Sequence, residues 1–269
     1  MEYNLNIFSI DLEDWYHSYY SGQPIKTKEF RIVDPTEKIL KLLKQTNNHA
    51  TFFVVGEIAQ RHPQLIKEIA KQGHEIACHS LHHQFIYNMT EKQFEKDLLE
   101  TKEILESLIH KKVVGYRAPA WSVSKEKTPW FWKTLNKHQF KYSSSVFPFK
   151  TFLYGDNKAN RFYSKINDLP EIPPSTDKLF SKRIPFSGGF YLRLLPFPAI
   201  KFFTKKINDQ KKPVIFYIHP REIDPDQPKY NLSLKEKFIH YYNVDKTFSK
   251  LEKLLHTYSV VSIKKYYHF

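Results

Sequence analysis

Two rhythms of apolar and polar positions run along the chain. Short unbroken apolar runs form the first: residues 5–10 end on Asp11, residues 50–55 read ATFFVV, and residues 213–218 close on His219. Continuous β-rich runs of this length suit strands buried on both faces. Helical spacing forms the second. Ile39, Leu40, Leu42 and Leu43 place a helix at 35–44, and Leu65, Ile66, Ile69 and Ala70 place another at 63–71, stopped by Gly73. A strand at 74–78, a long amphipathic helix at 90–109 with Glu and Lys on its outer face, a strand at 113–116 and a helix at 128–136 follow. Strands alternating with helices at this spacing predict parallel strands with crossover helices, an α/β fold.

The rhythm breaks at 143–185, a stretch rich in Pro, Asn and Asp that reads as a long insertion with short strands. Regularity returns with a helix at 196–207, the strand at 213–218, a helix at 245–256 and a last strand at 258–263. No linker, repeat or low-complexity segment interrupts the 269 residues, so a single domain over 1–269 is expected.

Composition narrows the class. Hydrophobic residues make up 41% with only 7 Gly, which excludes a disordered chain and supports a sizeable core. The 42 basic against 28 acidic residues give a net charge of +14, which favours anionic surfaces. The lysines are dispersed and no nucleic-acid-binding motif accompanies them, so a nucleic-acid partner is not expected. Peripheral contact with an anionic membrane face is permitted by the charge. Cys78 is the only cysteine, which excludes an intramolecular disulfide and a thiolate zinc site; it reads as a small buried residue ending a strand. Residues 1–11 lack a basic region followed by a long apolar stretch, and no run of eighteen apolar residues occurs. The expected location is therefore cytoplasmic.

Four polar clusters sit just past strand ends, where side chains of α/β barrels converge on one rim. They hold Asp11, Glu13 and Asp14; His79, His82 and His83; Arg117; and His219 with Glu222. His79 and His83, four apart, suit one side of a helical turn within reach of one cation. Among thirteen histidines such a pair arises easily by chance, and the acidic cluster supplies what it lacks. A His-His-carboxylate set leaves positions open for water and substrate. Asp14 is assigned as the metal carboxylate and Asp11 as the general base. Glu13 competes for the metal, since its i, i+2 spacing from Asp11 in a strand would aim both inward. Arg117 would pair with the base, and His219, ending the run IFYIH, fits a general acid opposite the metal, with a buried core histidine as the alternative.

In this order the clusters resemble the NodB-homology polysaccharide deacetylases, carbohydrate esterase family four, and within them the branch associated with exopolysaccharide and exosortase gene clusters. The stretches carrying the resemblance are SIDLEDW at 9–15, TFFVVGEIA at 51–59, HEIACHSLHHQFIYNMT at 74–90, GYRAPAWSV at 115–123, EIPPST at 171–176, PFSGGFYLRLLP at 185–196 and FYIHPREIDPDQP at 216–228. The resemblance implies an irregular (β/α) barrel of about seven strands and one divalent ion, zinc above all, on an Asp-His-His set: Asp14, His79 and His83. It implies Asp11 as base, Arg117 positioning it, and His219 as acid. The 185–193 loop would lie near the active site, with Gly188 and Gly189 letting backbone amides approach a sugar. Two departures stand out. The family's adjacent aspartates are here separated by Leu12 and Glu13, and Ser143 stands where the branch often has an Asp, so Glu222, Asp224 or another acid would have to serve His219. The implied activity is hydrolysis of the acetamido group of an amino sugar, in a polysaccharide or its lipid-linked precursor, with release of acetate. Trp15, Tyr16, Trp121, Phe190 and Tyr191 would favour stacking on a sugar ring. The alternatives are a hydrolase of another C–N amide bond on the same scaffold, and an inactive glycan-binding module, which Ser143 favours.

Overall fold

The computed structural model describes residues 5–18, 29–151, 154–180 and 182–269; residues 1–4 of the expected N-terminal strand region and 152, 153 and 181 of the middle stretch lie outside them. The strands are β1 (Asn6–Leu12), β2 (Thr51–Val54), β3 (Glu75–Cys78), β4 (Gly115–Tyr116), β5 (Tyr142–Ser143), β6 (Ser164–Ile166), β7 (Leu169–Glu171), β8 (Thr176–Leu179), β9 (Lys182–Pro185), β10 (Ile215–Ile218) and β11 (Val260–Val261). The α-helices are α1 (Val33–Gln45), α2 (Gly56–Arg61), α3 (Pro63–Lys71), α4 (Glu91–Ile109), α5 (Phe131–Lys137), α6 (Gly189–Leu194), α7 (Phe197–Asn208), α8 (Leu234–Tyr241), α9 (Val244–Thr257) and α10 (Ile263–Tyr267).

The main sheet runs β10-β1-β2-β3-β4-β5-β7-β6, with β11 paired to the start of β1. Its seven strands from β10 to β7 are mutually parallel, and β6 is added antiparallel at the edge. The sheet curls into a partly open half-barrel flanked by helices, the irregular α/β architecture expected. Its open seam is bridged by irregular backbone: Ile215 N–H donates to Ser175 Oγ at 2.9 Å and Tyr217 N–H donates to the Ser187 carbonyl at 3.1 Å.

Both faces of this sheet are buried, which is why its strands are unbroken apolar runs. Phe8, Ile10, Leu12, Phe52, Val54, Phe216 and Ile218 join the large core against the helices. Their alternates Ile7, Phe53, Ala77, Tyr142 and Ile215 fill a second cluster inside the curl. The inward series therefore continues to Ser9 and Asp11 on β1, to His79 two residues after Ala77, to Arg117 two after Gly115, and to His219 two after Tyr217. Strand alternation thus carries these polar groups to one carboxyl-end rim.

Several elements differ from the sequence expectation. Thr90 caps α4 reciprocally with Gln93, as its 90–109 assignment requires. The helix expected at 128–136 begins only at Phe131. The strand expected at 258–263 shortens to β11, because the Ser262 hydroxyl accepts from Lys265 N–H and starts α10. The 143–185 stretch is not wholly an insertion: β5 and β7 belong to the parallel sheet, while β8 and β9 form a separate hairpin. Cys78 is buried at the end of β3. Among the described residues, no helix is long and apolar enough to cross a membrane.

Candidate metal centre

Glu13, His79 and His83 converge at the rim, each buried, with one ligand atom apiece within 4.8 Å of the others. His79 Nδ1 lies 2.8 Å from the Arg117 carbonyl oxygen. A carbonyl only accepts, so Nδ1 carries the proton and the Nε2 lone pair is turned toward Glu13, 4.0 Å away. Burial pushes the His79 imidazole down to about 4, keeping it neutral as a ligand must be. His83 Nε2 lies 2.5 Å from Glu13 Oε2. The two histidines are not on a helical turn. The 79–83 segment is a loop with left-handed backbone at Ser80 (φ 66°) and His83 (φ 56°), and Asp97 of α4 holds it by accepting from Ser80 Oγ at 3.0 Å and Leu81 N–H at 2.9 Å. His82 between them is exposed.

The third ligand expected from the sequence is Asp14, whereas the carboxylate that lies beside the two imidazoles is that of Glu13. Asp14 Oδ1 accepts from Trp15 N–H at 2.8 Å, and Oδ2 accepts from Arg31 N–H at 2.9 Å and Ile32 N–H at 3.2 Å. Its carboxylate caps a short 3-10 turn, Trp15–His17, and ties the 31–32 backbone to it. The inward series 7, 9, 11 arrives next at 13, so Glu13 faces the imidazoles and Asp14 does not. A divalent ion with bonds of about 2.1 Å in tetrahedral geometry sets ligand atoms about 3.4 Å apart, between the 2.5 and 4.0 Å found here. The donor set fits such an ion.

Electrostatics agree. Burial alone would raise the Glu13 carboxyl, but His83, His219 and Arg221 outweigh it and hold it well below the usual range. The Glu13 carboxylate is thus ionised, as a metal ligand must be.

Beside it stands an acid–base pair. Arg117 is fully buried and donates to Asp11 Oδ1 at 2.5 Å, Ser9 Oγ at 3.1 Å, Ser144 Oγ at 2.9 Å and the Ser144 carbonyl at 3.3 Å. His219 Nε2 is 3.8 Å from Asp11 Oδ2 and 3.7 Å from Glu13 Oε1. Its Nδ1 meets Glu222 Oε2 at 3.2 Å, and Arg193 Nε donates to the other oxygen of Glu222 at 3.2 Å. Burial would lower His219, yet Glu13 and Glu222 outweigh it and raise its pKa. Glu222, despite burial, is drawn to about 2 by His219, Arg193 and Arg221. Glu222 therefore takes the place for which Ser143 was unsuited. Ser143 instead donates to Ser145 Oγ at 2.8 Å, which accepts from Ala118 N–H at 2.9 Å and steadies the loop after β4. Asp224 forms a salt bridge with Arg31 at 2.7 Å.

Asp11, Glu13, His79, His83, His219 and Trp121 are among the walls of a cavity of about 60 Å³, room for a few waters or a small acyl group. Of the expected stacking aromatics only Trp121 lines it; Trp15 packs at a tilt on Tyr230 and Phe190 edge-on against Phe238. A Cβ at Gly188 would fall 2.1 Å from the Tyr217 carbonyl, so that glycine serves close approach to β10. Among the lining residues that the sequence does not single out is His17. His17 accepts from Asp14 N–H at its Nδ1 (3.0 Å), so its Nε2 carries the proton, with Glu57 3.8 Å away. The signal was present as an Asp–x–x–His capping box.

Residues 29–143 match the polysaccharide deacetylase family, and residues 144–268 match a domain of unknown function, DUF3473. A peptidoglycan-N-acetylglucosamine deacetylase of Bacillus cereus is 30% identical over 118 residues, 36% of this chain and 55% of the relative. A peptidoglycan deacetylase of Helicobacter pylori is 35% identical over 109 residues, 40% of this chain and 36% of the relative. The chain thus spans between about a third and about half the length of these relatives. Among solved structures, a family 4 carbohydrate esterase from Streptomyces lividans in complex with acetate superposes with a TM-score of 0.51 at 12% identity, over 96% of this chain and 91% of its own. A CE4 family pseudoenzyme from Bacillus anthracis also gives 0.51 at 15% identity, over 98% and 65%. At such identity these two likenesses concern the fold alone, and that fold is shared by an esterase and a pseudoenzyme.

Proposed function

We propose that this protein belongs with the polysaccharide deacetylases and is a metal-dependent N-deacetylase, releasing acetate from the acetamido group of an amino sugar. The reading rests on one observation above all: Glu13, His79 and His83 gather beside Asp11 and His219 in one small buried cavity. Glu13, His79 and His83 would hold the ion, with zinc the best match to two imidazoles and one carboxylate. When bound, such an ion polarises the amide carbonyl and acidifies a water.

The chain's own residues supply the rest. Arg117 occupies Asp11 Oδ1 and fixes the carboxylate plane, leaving Oδ2 toward the cavity. Asp11 takes a proton from the attacking water, whose oxygen bonds to the acetyl carbon. His219, whose pKa the neighbouring carboxylates raise, gives its Nε2 proton to the departing nitrogen as the C–N bond breaks. Acetate and a free amine result.

The choice of an amino sugar draws on relatives named for peptidoglycan N-acetylglucosamine; a polysaccharide or its lipid-linked precursor as the carrier of that sugar is drawn from the sequence resemblance. The small cavity favours an acetyl over a bulkier acyl group. Ser143, the feature that favoured an inactive glycan-binding module, lies away from His219, whose Nδ1 faces Glu222. The test is acetate release from N-acetylglucosamine oligomers by zinc-loaded protein, beside an acylated nucleobase as the rival amide. Asp11→Ala and His83→Ala should abolish release with the circular dichroism spectrum unchanged, and wild-type turnover in Asp11→Ala would end the proposal.

A further inference from the structure

The β8–β9 hairpin stands apart from the catalytic rim. Its base is tied down: Arg161 pairs with buried Asp177 at 2.6 Å, and Lys206 of α7 pairs with Asp177 at 3.0 Å and donates to the Lys178 carbonyl at 2.6 Å. Beyond that anchor the hairpin is exposed. Lys178, Leu179 and Lys182 face solvent, and Phe180, at the turn joining the paired residues Leu179 and Lys182, is 94% exposed.

Phe180 also has a left-handed backbone, φ 54°. Tight hairpin turns need such angles, and Asn or Gly adopts them at far lower cost than a bulky aromatic. A phenylalanine placed there weakens the turn and stays almost wholly in water. Its benefit therefore lies outside the folded chain.

The surroundings say what it meets. On α7, one turn before Lys206, Phe202 is 56% exposed. Lys178 and Lys182 flank the tip and Lys201 is exposed beside Phe202 on the helix, while Lys205 and Lys206 are engaged by Asp209 and Asp177. The nearby acids are already engaged: Asp177 is buried with Arg161 and Lys206, and Asp209 pairs with Lys205 at 2.7 Å. A narrow apolar tip ringed by lysines is too small for a standard protein interface, but it matches the headgroup region of a bilayer. There aromatic side chains enter the acyl boundary and lysines meet anionic lipid.

We propose that the β8–β9 hairpin docks this protein on anionic lipid bilayers, with Phe180 and Leu179 inserted and Lys178 and Lys182 against the lipid phosphates. The net charge of +14 adds long-range attraction. The inference is independent of the proposed catalysis.

The test uses the full chain and vesicles of phosphatidylcholine, alone or mixed with phosphatidylglycerol. Sedimentation should occur with the mixed vesicles and not with phosphatidylcholine alone. Phe180→Asn should weaken partitioning about tenfold while raising the melting temperature, because Asn suits the turn. That opposite movement separates docking from folding. Lys178→Glu with Lys182→Glu should also weaken binding, and Phe180→Trp should show blue-shifted emission quenched by brominated lipid. Equal binding by Phe180→Asn, no binding to mixed vesicles, or unshifted Trp emission on binding would overturn the proposal. So would an oligomer that Phe180→Asn converts to monomer without any vesicle binding, which would assign the tip to a second copy of the chain.

Discussion

Replacing Asp14 by alanine takes the acceptor from three backbone amides, those of Trp15, Arg31 and Ile32. The lost cap costs about 0.5–2 kcal/mol, and each of the other two amides left unpaired costs about 1–3 kcal/mol. Arg31 is only part-buried, so water recovers some of this, and a net loss of about 3 kcal/mol is expected. At about 2.1 cal/mol/K per residue, the 269 residues give an unfolding entropy of about 0.56 kcal/mol/K and a fall in melting temperature of about 5 °C. Metal content should stay at one ion per chain. Glu13→Gln should do the reverse. Its amide is a poor ligand, and zinc affinity should fall by at least about a hundredfold. The stabilisation that zinc gives wild type at about a hundred times its Kd, about 2.7 kcal/mol or 5 °C, should then disappear. Elemental analysis of the purified variants and thermal melts with and without zinc read both effects. If Asp14→Ala lost its metal while Glu13→Gln bound one ion with the wild-type zinc-dependent shift, the assignment of the carboxylates would be wrong.

Two further outcomes follow from the acid–base pair. Arg117→Met leaves Asp11 buried without its partner and should cost about 3–5 kcal/mol, read as a melting temperature lower by about 5–9 °C. In Glu222→Gln, His219 loses one of the two carboxylates that raise it, so the basic limb of the acetate-release profile should move to lower pH. Glu222 itself is depressed from 4.5 to about 2, so its stabilising contribution is present above pH 4.5 and is lost as pH falls through about 2. That contribution is of the order of 3 kcal/mol, and acid titration of wild type against Glu222→Gln should show the difference close between pH 4.5 and 2.

Much of the fold was legible because burial on both faces leaves a plain mark. β1, β2 and β10 are unbroken apolar runs whose alternate residues enter two different cores, and the apolar stripes of α1, α3 and α9 sit within a residue or two of their predicted bounds. What stayed hidden is short. β5 has two residues and α10 has five, too few to show a period. β7 is three residues within a stretch rich in Pro, Asn and Asp, and it joins the parallel sheet through the one pair Ser143 and Glu171. The histidine pair was found for a reason that does not hold: four residues suit a helical turn, but here left-handed backbone at Ser80 and His83 and the Asp97 clamp bring the rings together.

The carboxylate is the more instructive case. Three acids follow β1, and a family motif of adjacent aspartates drew the assignment to Asp14. Two properties decide among them, and only one is written in the sequence. Alternation along a strand is written there: from Asp11 the next inward position is 13, and that argument pointed to Glu13 from the start. The other is whether an oxygen is already engaged. Both Asp14 oxygens are taken by amides, two of which lie 17 and 18 residues away at Arg31 and Ile32, a contact that no local pattern announces. A metal ligand needs a lone pair that the fold has not already used. Where pleat and motif disagree within three residues, the pleat is the physical constraint and the motif only a correlation, so a strand-end acid should be assigned by its parity with the last inward side chain.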